Sequence, residues 1–244
     1  MSLTGDRFRS VLSRRRGGIT LALENVRKEN VALVARTAEA LGVASLHLVY
    51  TRDMDAHLRG FGMVSEATRA AQLSRVSRSA TDWLDITAHS SVDACVSRLG
   101  LDGFDNLVAT APDADTSLYD EAADDWALDR VALLFGSEGH GLSREFLGLA
   151  THRVSVPLSG MTQSLNVAAC AAIVLGECLR RRDAAGAERP LAPPERHRLE
   201  ATLLRGPGVP LRYHNKASVK AQARRYKPIF EAQKRREEDE DRPS

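Results

Sequence analysis

Three short segments carry residue types that could bind a ligand or assist group transfer. In the first, Asn30 and Arg36 lie six residues apart on one predicted helix, and we place them on much the same side of it. Arg36 interrupts a run of small apolar residues, so its guanidinium needs a carboxylate, phosphate or backbone partner. The second segment, residues 136–141, has three glycines in six positions, which allow a backbone to approach a ligand closely, and it carries Glu138.

The third segment starts with a β-branched run at residues 154–158 and continues through a Pro/Ser/Gly/Met loop. Ser164 is then placed as the N-cap of an almost wholly apolar helix predicted for residues 165–179. This helix is too apolar for a surface element, so we expect it to be buried on most sides. Its N-terminus gathers Gln163, Ser164 and Asn166 beside free backbone N–H groups, where a ligand could be held.

Each segment also has a purely structural interpretation. Arg36 could pair with an acid of the core, Ser164 could only cap its helix, and Asn166 could be a buried amide. The glycine loop lacks the spacing of the dinucleotide-binding fingerprint. Taken one at a time, the three segments therefore identify no activity.

The elements that position these segments alternate between strand and helix patterns across residues 19–182. Apolar strand patterns occupy residues 19–26, 46–50, 83–86, 106–110, 131–135 and 154–158. Asn30 is placed as the N-cap of the helix after the first strand, and Gly42 closes that helix. The alternation predicts one α/β domain with a parallel sheet.

Basic residues are concentrated at the two ends of a chain whose net charge is only +2. Arginines precede the first strand, a run of three follows the apolar helix, and residues 212–236 are rich in Lys and Arg. Because neither end offers a strong apolar face, this layout favours a polyanion over a membrane. No long apolar run or secretory signal pattern occurs, and the three cysteines show no metal-type spacing, so we expect a cytoplasmic protein without a metal.

Taken together and in this order, the segments resemble the three motifs of the SPOUT superfamily of RNA methyltransferases, in its SpoU/TrmH branch. The motifs correspond to residues 24–42, 133–141 and 156–168. The resemblance implies an α/β domain at residues 18–183, with a parallel sheet, helices on both faces and a C-terminal trefoil knot. A basic helical arm (1–17) would precede this domain, and a basic, partly disordered extension (184–244) would follow it. Members form homodimers with sites at the interface, where the apolar helix could pack.

The resemblance further implies S-adenosylmethionine as cofactor and a ribose 2′-hydroxyl of RNA as methyl acceptor. Residues with expected catalytic or orienting roles are Arg36, which would reach the substrate from the partner subunit, and Asn30, Glu138, Ser164 and Asn166. Residues expected to bind the cofactor are Ala109, Thr110, Ala111, Gly136, Glu138, Gly141, Val156, Leu158, Gly160, Met161, Ser164 and Leu165.

The short basic arm and the basic C-terminal region are similar to the family members that methylate guanosine 18 in the D-loop of tRNA. Phosphate contacts are then expected from Arg9, Arg14, Arg15, Arg16, Arg180 and Arg182. Three alternatives stay open: a ribosomal RNA substrate, a non-catalytic RNA-binding protein on the same fold, and a nicotinamide-dependent enzyme. The last lacks the Gly-x-Gly-x-x-Gly opening.

Overall fold

The fold is organised around one eight-stranded, fully parallel β-sheet. A computed structural model of the chain describes residues 5–51, 80–120, 126–205 and 212–214. The strands are β1 (Ile19–Glu24), β2 (Ser45–Val49), β3 (Asp85–His89), β4 (Asn106–Thr110), β5 (Thr116–Ser117), β6 (Val131–Phe135), β7 (His152–Ser155) and β8 (Arg212–His214). Their spatial order is β5-β7-β4-β6-β1-β2-β3-β8.

Helices cover both faces of the sheet, as expected. They are α1 (Gly5–Ser13), α2 (Lys28–Ala40), α3 (Val92–Leu101), α4 (Arg144–Leu149), α5 (Val167–Ala184) and α6 (Pro193–Arg205), with a short 3-10 helix at Ala80–Trp83. One apolar cluster joins Leu21 and Leu133 to residues of α2 and α5, and a second joins Ala22 and Leu134 to residues of α3 and α4. Central strands are therefore buried on both sides, which is why they are mostly apolar, and β6 is wholly so.

The six predicted strands are recovered, two of them (106–110 and 131–135) with the predicted ends and four with shifted ends, and two short edge strands were missed. Residues 83–86 are partly 3-10 helix, so that strand begins at Asp85, and the strand predicted at 154–158 is His152–Ser155. The missed strands β5 and β8 have only two and three residues, too few for a periodic pattern. Among the described residues, no helix is long and apolar enough to cross a membrane.

Both predicted helix caps in the motif segments are wrong. Helix α2 begins at Lys28 after Arg27, so Asn30 lies inside the first turn. Helix α5 begins at Val167, and Asn166 is its N-cap: the Asn166 side-chain oxygen accepts hydrogen bonds from the N–H groups of Ala168 and Ala169 at 2.9 and 3.4 Å. Ser164 therefore lies in the loop before the helix. Gly42 does close α2, with a φ of +87° that suits glycine.

Helix α5 is buried over most of its circumference and leaves one narrow stripe exposed within a single chain. Val174, Leu175 and Cys178 are buried against the sheet and α2, whereas Ala169 and Gly176 are exposed. Ten of its 18 residues are buried, so the expectation that the helix is buried on most sides is met within this chain.

Two arginines expected to contact RNA are instead buried in the domain. Arg182 is 2% exposed, and its guanidinium donates hydrogen bonds of 3.0–3.1 Å to the carbonyls of Gly17, Gly18, Ala127 and Asp129. The Arg15 guanidinium donates to the Val43 and Trp83 carbonyls and to the Glu39 side chain. Because these groups satisfy buried backbone acceptors, the predicted phosphate contacts of Arg15 and Arg182 are wrong.

Residues beyond Ala184 are partly built into the domain. Helix α6 places the buried guanidinium of Arg198 between Asp85 and Asp102, at 3.2 and 3.0 Å. The same helix buries Leu199 against Leu12 and Ala44. Strand β8 then pairs with β3 at the edge of the sheet. The basic residues from Lys216 onwards lie outside the described residues.

The buried position of Arg182 predicts a large contribution to stability. An Arg182→Met change should lower the free energy of unfolding by about 3 kcal/mol, because it leaves several buried carbonyls without a donor. The matched change Arg180→Met should cost less than about 1 kcal/mol, because the Arg180 side chain is exposed and solvent screens its ion pair with Glu177. Urea unfolding at pH 7 measures both; equal losses would contradict the assignment.

Candidate functional site

A cleft of about 390 Å³ opens at the carboxyl edge of the sheet, between the loops that follow β4, β6 and β7. Open α/β sheets bind ligands at this edge. The cleft wall includes apolar side chains and the polar groups of the glycine loop and of the segment before α5. Its lining residues are Thr110, Ala111, Pro112, Phe135, Gly136, Ser137, Glu138, Gly139, His140, Gly141, Val154, Val156, Leu158, Gln163, Ser164, Leu165, Val167 and Cys170.

The glycine loop after β6 is closed on itself. The Ser137 N–H donates to the Gly141 carbonyl at 3.2 Å, and the Gly141 N–H donates back to Ser137 at 2.8 Å. A Cβ at Gly136 would meet the backbone of Gly141 and Leu142 at about 2 Å, and Gly141 has a φ of +64°. These two glycines are therefore required by the fold of the loop itself, whereas Gly139 faces open space.

A hydrogen-bonded chain of three polar side chains joins the motif segments. The side-chain amide of Asn30 donates to Glu138, and its oxygen accepts a hydrogen bond of 3.2 Å from the Asn166 amide. Since Asn166 also caps α5, its amide orientation is fixed: the oxygen faces the helix and the nitrogen faces Asn30. This chain ties α2, the glycine loop and α5 together beside the cleft.

Arg36 does not join this group within the chain. Six residues correspond to a rotation about 120° away from Asn30 on an α-helix, so the prediction that both share one side is wrong. Arg36 lies on the solvent face of α2 with Leu33, which is 49% exposed. Among the described residues, Arg36 makes no hydrogen bond or ion pair.

Most residues predicted to bind the cofactor line the cleft. Ala109 does not, because it is buried inside β4, and Gly160 and Met161 lie outside it, with Met161 fully exposed. Sequence reasoning missed Pro112, Val154, Val167 and Cys170, which also line it. Val167 and Cys170 are three residues apart on α5, a helical spacing that could have revealed them. Burial raises the pKa of the Cys170 thiol to about 11, so it stays protonated at neutral pH.

Two further cavities lie away from the glycine loop. The larger, about 610 Å³, is lined by Asn106 and His152, which begin strands β4 and β7, and therefore lies at the amino edge of the sheet. A cavity of about 420 Å³ adjoins it. We assign the functional site to the smaller cleft at the carboxyl edge, because the second and third motif segments line it and Asn30 of the first segment bonds to Glu138 in its wall.

The remaining arginines expected to bind RNA lie at the surface. Arg9 and Arg14 are exposed on or just after α1. Arg16 is half-buried and forms ion pairs with Asp183 and Glu188, and Arg180 pairs with Glu177. The hydrogen bond that Arg16 donates to Asp183 raises the pKa of Arg16, and the hydrogen bonds that Arg180 donates to Glu177 lower the pKa of Glu177.

A family comparison decides how this cleft is to be interpreted. Residues 18–176 match the SpoU rRNA methylase family. The matched range includes all three motif segments. The chain belongs to this family. Members use S-adenosylmethionine, and the chain is an RNA 2′-O-methyltransferase of the SpoU family.

Individual relatives agree with the family assignment. The tRNA (guanosine(18)-2′-O)-methyltransferase of Escherichia coli is 32% identical over 184 residues, covering 74% of this chain and 71% of the relative. The enzyme of the same name from Thermus thermophilus is 32% identical over 194 residues, covering 78% and 89%. The crystal structure of an A. aeolicus TrmH/SpoU tRNA modifying enzyme shares the fold, with a TM-score of 0.64, 22% identity and coverage of 82% and 94%.

The residues of the cleft fit S-adenosylmethionine. A volume of about 390 Å³ lies in the usual range for small-molecule sites. Ala111, Val156, Leu158 and Leu165 provide apolar contacts, and the loop backbones provide hydrogen-bonding groups around them. The cofactor, when bound, supplies the sulfonium-activated methyl group.

Asn166 both caps α5 and bonds to Asn30, so its removal should affect cofactor binding as well as stability. Asn166→Ala should cost about 1 kcal/mol of stability through loss of the helix cap. It should also weaken S-adenosylmethionine binding several-fold, because Asn30 and the start of α5 lose their fixed positions. Ser91→Ala is the matched control, since Ser91 caps α3 away from the cleft. Calorimetric titration with S-adenosylmethionine compares the two variants. Equal affinities in Asn166→Ala and Ser91→Ala would contradict the role given to Asn166.

Proposed function

We propose that this enzyme methylates the 2′-hydroxyl of guanosine 18 in the D-loop of tRNA. The cleft lined by the second and third motif segments, with the Glu138–Asn30–Asn166 chain tying the first segment to its edge, is the observation that supports it most. The substrate is proposed from the names of the two relatives at 32% identity, each of which this chain covers for most of its length.

The acceptor hydroxyl is a poor nucleophile until its proton is removed or shared. We assign activation to Arg36, whose guanidinium is too basic to lose its proton readily at neutral pH. We favour a role in which Arg36 clamps the neighbouring RNA phosphate, so that the phosphate takes the proton; the alternative is a transiently deprotonated guanidine. Asn30, Glu138, Ser164 and Asn166 would orient the ribose and the cofactor.

The position of Arg36 supports a homodimer with sites at the interface. Arg36 and the exposed Leu33 lie on α2, and α2 packs against α5, whose Ala169 and Gly176 are also exposed. We propose that this surface meets its copy in the partner, and that Arg36 completes the partner's cleft. A trefoil knot in the C-terminal part and a cytoplasmic location belong to the same proposal and rest on the family resemblance.

RNA would be held by the surface arginines that remain after Arg15 and Arg182 are removed from the set. They are Arg9, Arg14, Arg16 and Arg180. Arg16 and Arg180 would have to exchange their present carboxylate partners for phosphate. Such contacts set the register of the RNA but carry little base specificity.

The substrate assignment predicts a defined pattern of methyl transfer. Labelled methyl from S-adenosylmethionine should appear on an unmodified tRNA transcript and be absent when guanosine 18 is replaced by adenosine. Label on both transcripts would move the site elsewhere in tRNA. Label only on ribosomal RNA would favour the alternative suggested by the family description. Cofactor binding without transfer to either RNA would leave a non-catalytic RNA-binding protein.

A partner-supplied Arg36 predicts complementation between two inactive variants. Arg36→Ala should abolish transfer while leaving cofactor affinity nearly unchanged, because Arg36 lies outside the cleft. Leu158→Trp should block the cleft while leaving Arg36 intact. Co-expressed with different tags, the two should recover roughly a quarter of the activity, since half the dimers are mixed and each has one intact site.

Purified mixed dimers allow a direct measurement of this recovery. If they stay as inactive as either variant alone, Arg36 acts within its own chain or not at all. A monomeric protein in solution would remove the interface from the proposal.

A further inference from the structure

A buried cluster of two imidazoles and a thiol lies apart from the cofactor cleft. His47 is on β2, His89 ends β3, and Cys95 is on α3. All three are almost completely buried, and their potential ligand atoms lie within 4.8 Å of one another. The His47 Nδ1 and His89 Nε2 atoms are 2.9 Å apart, which indicates a hydrogen bond between the rings.

The donor set and spacing suit a tetrahedral divalent metal ion. Imidazole nitrogen and thiolate sulfur are the ligands that Zn²⁺ prefers in proteins. With Zn–N bonds of 2.0–2.1 Å, two ligand nitrogens at a tetrahedral ion are about 3.3 Å apart. The observed 2.9 Å is a few tenths of an ångström shorter, and the donor atoms of the cluster are up to 4.8 Å apart, so the two rings would separate slightly and the Cys95 side chain would approach them to admit the ion.

A buried carboxylate beside the cluster supplies an independent observation. Glu24, at the end of β1, is 1% exposed, and one oxygen accepts a hydrogen bond of 2.7 Å from the Ser143 N–H. Its other oxygen is buried without a hydrogen-bond partner, and within the described part of the chain no Lys or Arg pairs with it. An uncompensated buried carboxylate is costly, and a nearby cation would offset that cost.

Glu24 is close enough to the cluster to act on it electrostatically. Burial raises the pKa of the Cys95 thiol, and the charge of Glu24 raises it further. Metal coordination would reverse this preference for the neutral thiol, because a coordinated thiol is deprotonated. The cluster therefore offers ligands for a cation, and the neighbouring carboxylate lacks a compensating positive charge. One bound cation would meet both conditions.

We propose that His47, His89 and Cys95 bind one Zn²⁺ ion, with Glu24 as the neighbouring negative charge. Binding displaces the thiol proton to solvent. The proton shared between the facing ring nitrogens moves to another ring nitrogen, so both imidazoles bind in their neutral form. The ion would tie β2, β3 and α3 together as a structural site. A plain hydrogen-bonded histidine pair beside a core thiol is the competing interpretation.

Metal binding can be tested on the full chain, purified without a histidine tag. After dialysis against a chelator and titration with Zn²⁺, elemental analysis should find one tightly held ion per chain. Zn²⁺ should also raise the thermal midpoint by several degrees in the parent protein. Cys95→Ala should lose both effects, whereas Cys178→Ala, a buried thiol on the opposite face of the sheet, should keep them.

A Co²⁺ probe keeps the test decisive if Cys95→Ala fails to fold. The chain has three cysteines, so the double change Cys170→Ala and Cys178→Ala leaves Cys95 as the single thiol. Co²⁺ bound to this variant should show a thiolate-to-cobalt charge-transfer band. The proposal is overturned by a chain that retains no ion, by Co²⁺ bound without that band, or by Cys95→Ala retaining Zn²⁺. Because these measurements do not use methyl transfer, they stand or fall separately from the proposed function.

Discussion

The functional edge of this protein depends on the hydrogen bond between two asparagines. Asn166 caps α5 through its oxygen and holds Asn30 through its nitrogen, and Asn30 in turn donates to Glu138. An amide can serve both partners because its donor and acceptor lie on one rigid plane. An aspartate could cap the helix equally well but would offer no donor to the Asn30 oxygen. The start of a helix and the wall of the cleft are thereby set by one side chain.

The C-terminal end of α5 is held by two arginine side chains. Arg182 donates to four backbone carbonyls around the start of β1 and the turn before β6. Arg181 pairs with Glu177 and lies over Trp126. The helix is thus held at both termini, while one side of its middle stays open. This arrangement leaves one stripe of the helix exposed without loosening the cleft.

Fold class and motif segments were predictable because they depend on periodicity and on types of residue. The alternation of strands and helices and the parallel sheet followed from the sequence pattern, whereas most of the cleft lining followed from the family resemblance of the motifs. Helix starts were misjudged because Asn30, Ser164 and Asn166 are all good capping residues, and only the path of the loop selects one. The edge strands β5 and β8 were too short to show a pattern. No local signal showed that the buried histidines and Cys95 would meet, since they come from separate elements.

The arginines show most clearly where sequence reasoning ends. Residues 180–182 are identical in type, yet Arg180 is exposed and Arg182 is buried, because successive residues on a helix point in directions about 100° apart. A basic run therefore predicts a basic surface only for those members that face solvent. The same angular spacing on α2 places Arg36 on a different side of the helix from Asn30, away from the cleft of its own chain. The catalytic role proposed for Arg36, on the outer face of its helix, therefore requires another molecule to bring the substrate or a second cleft to it.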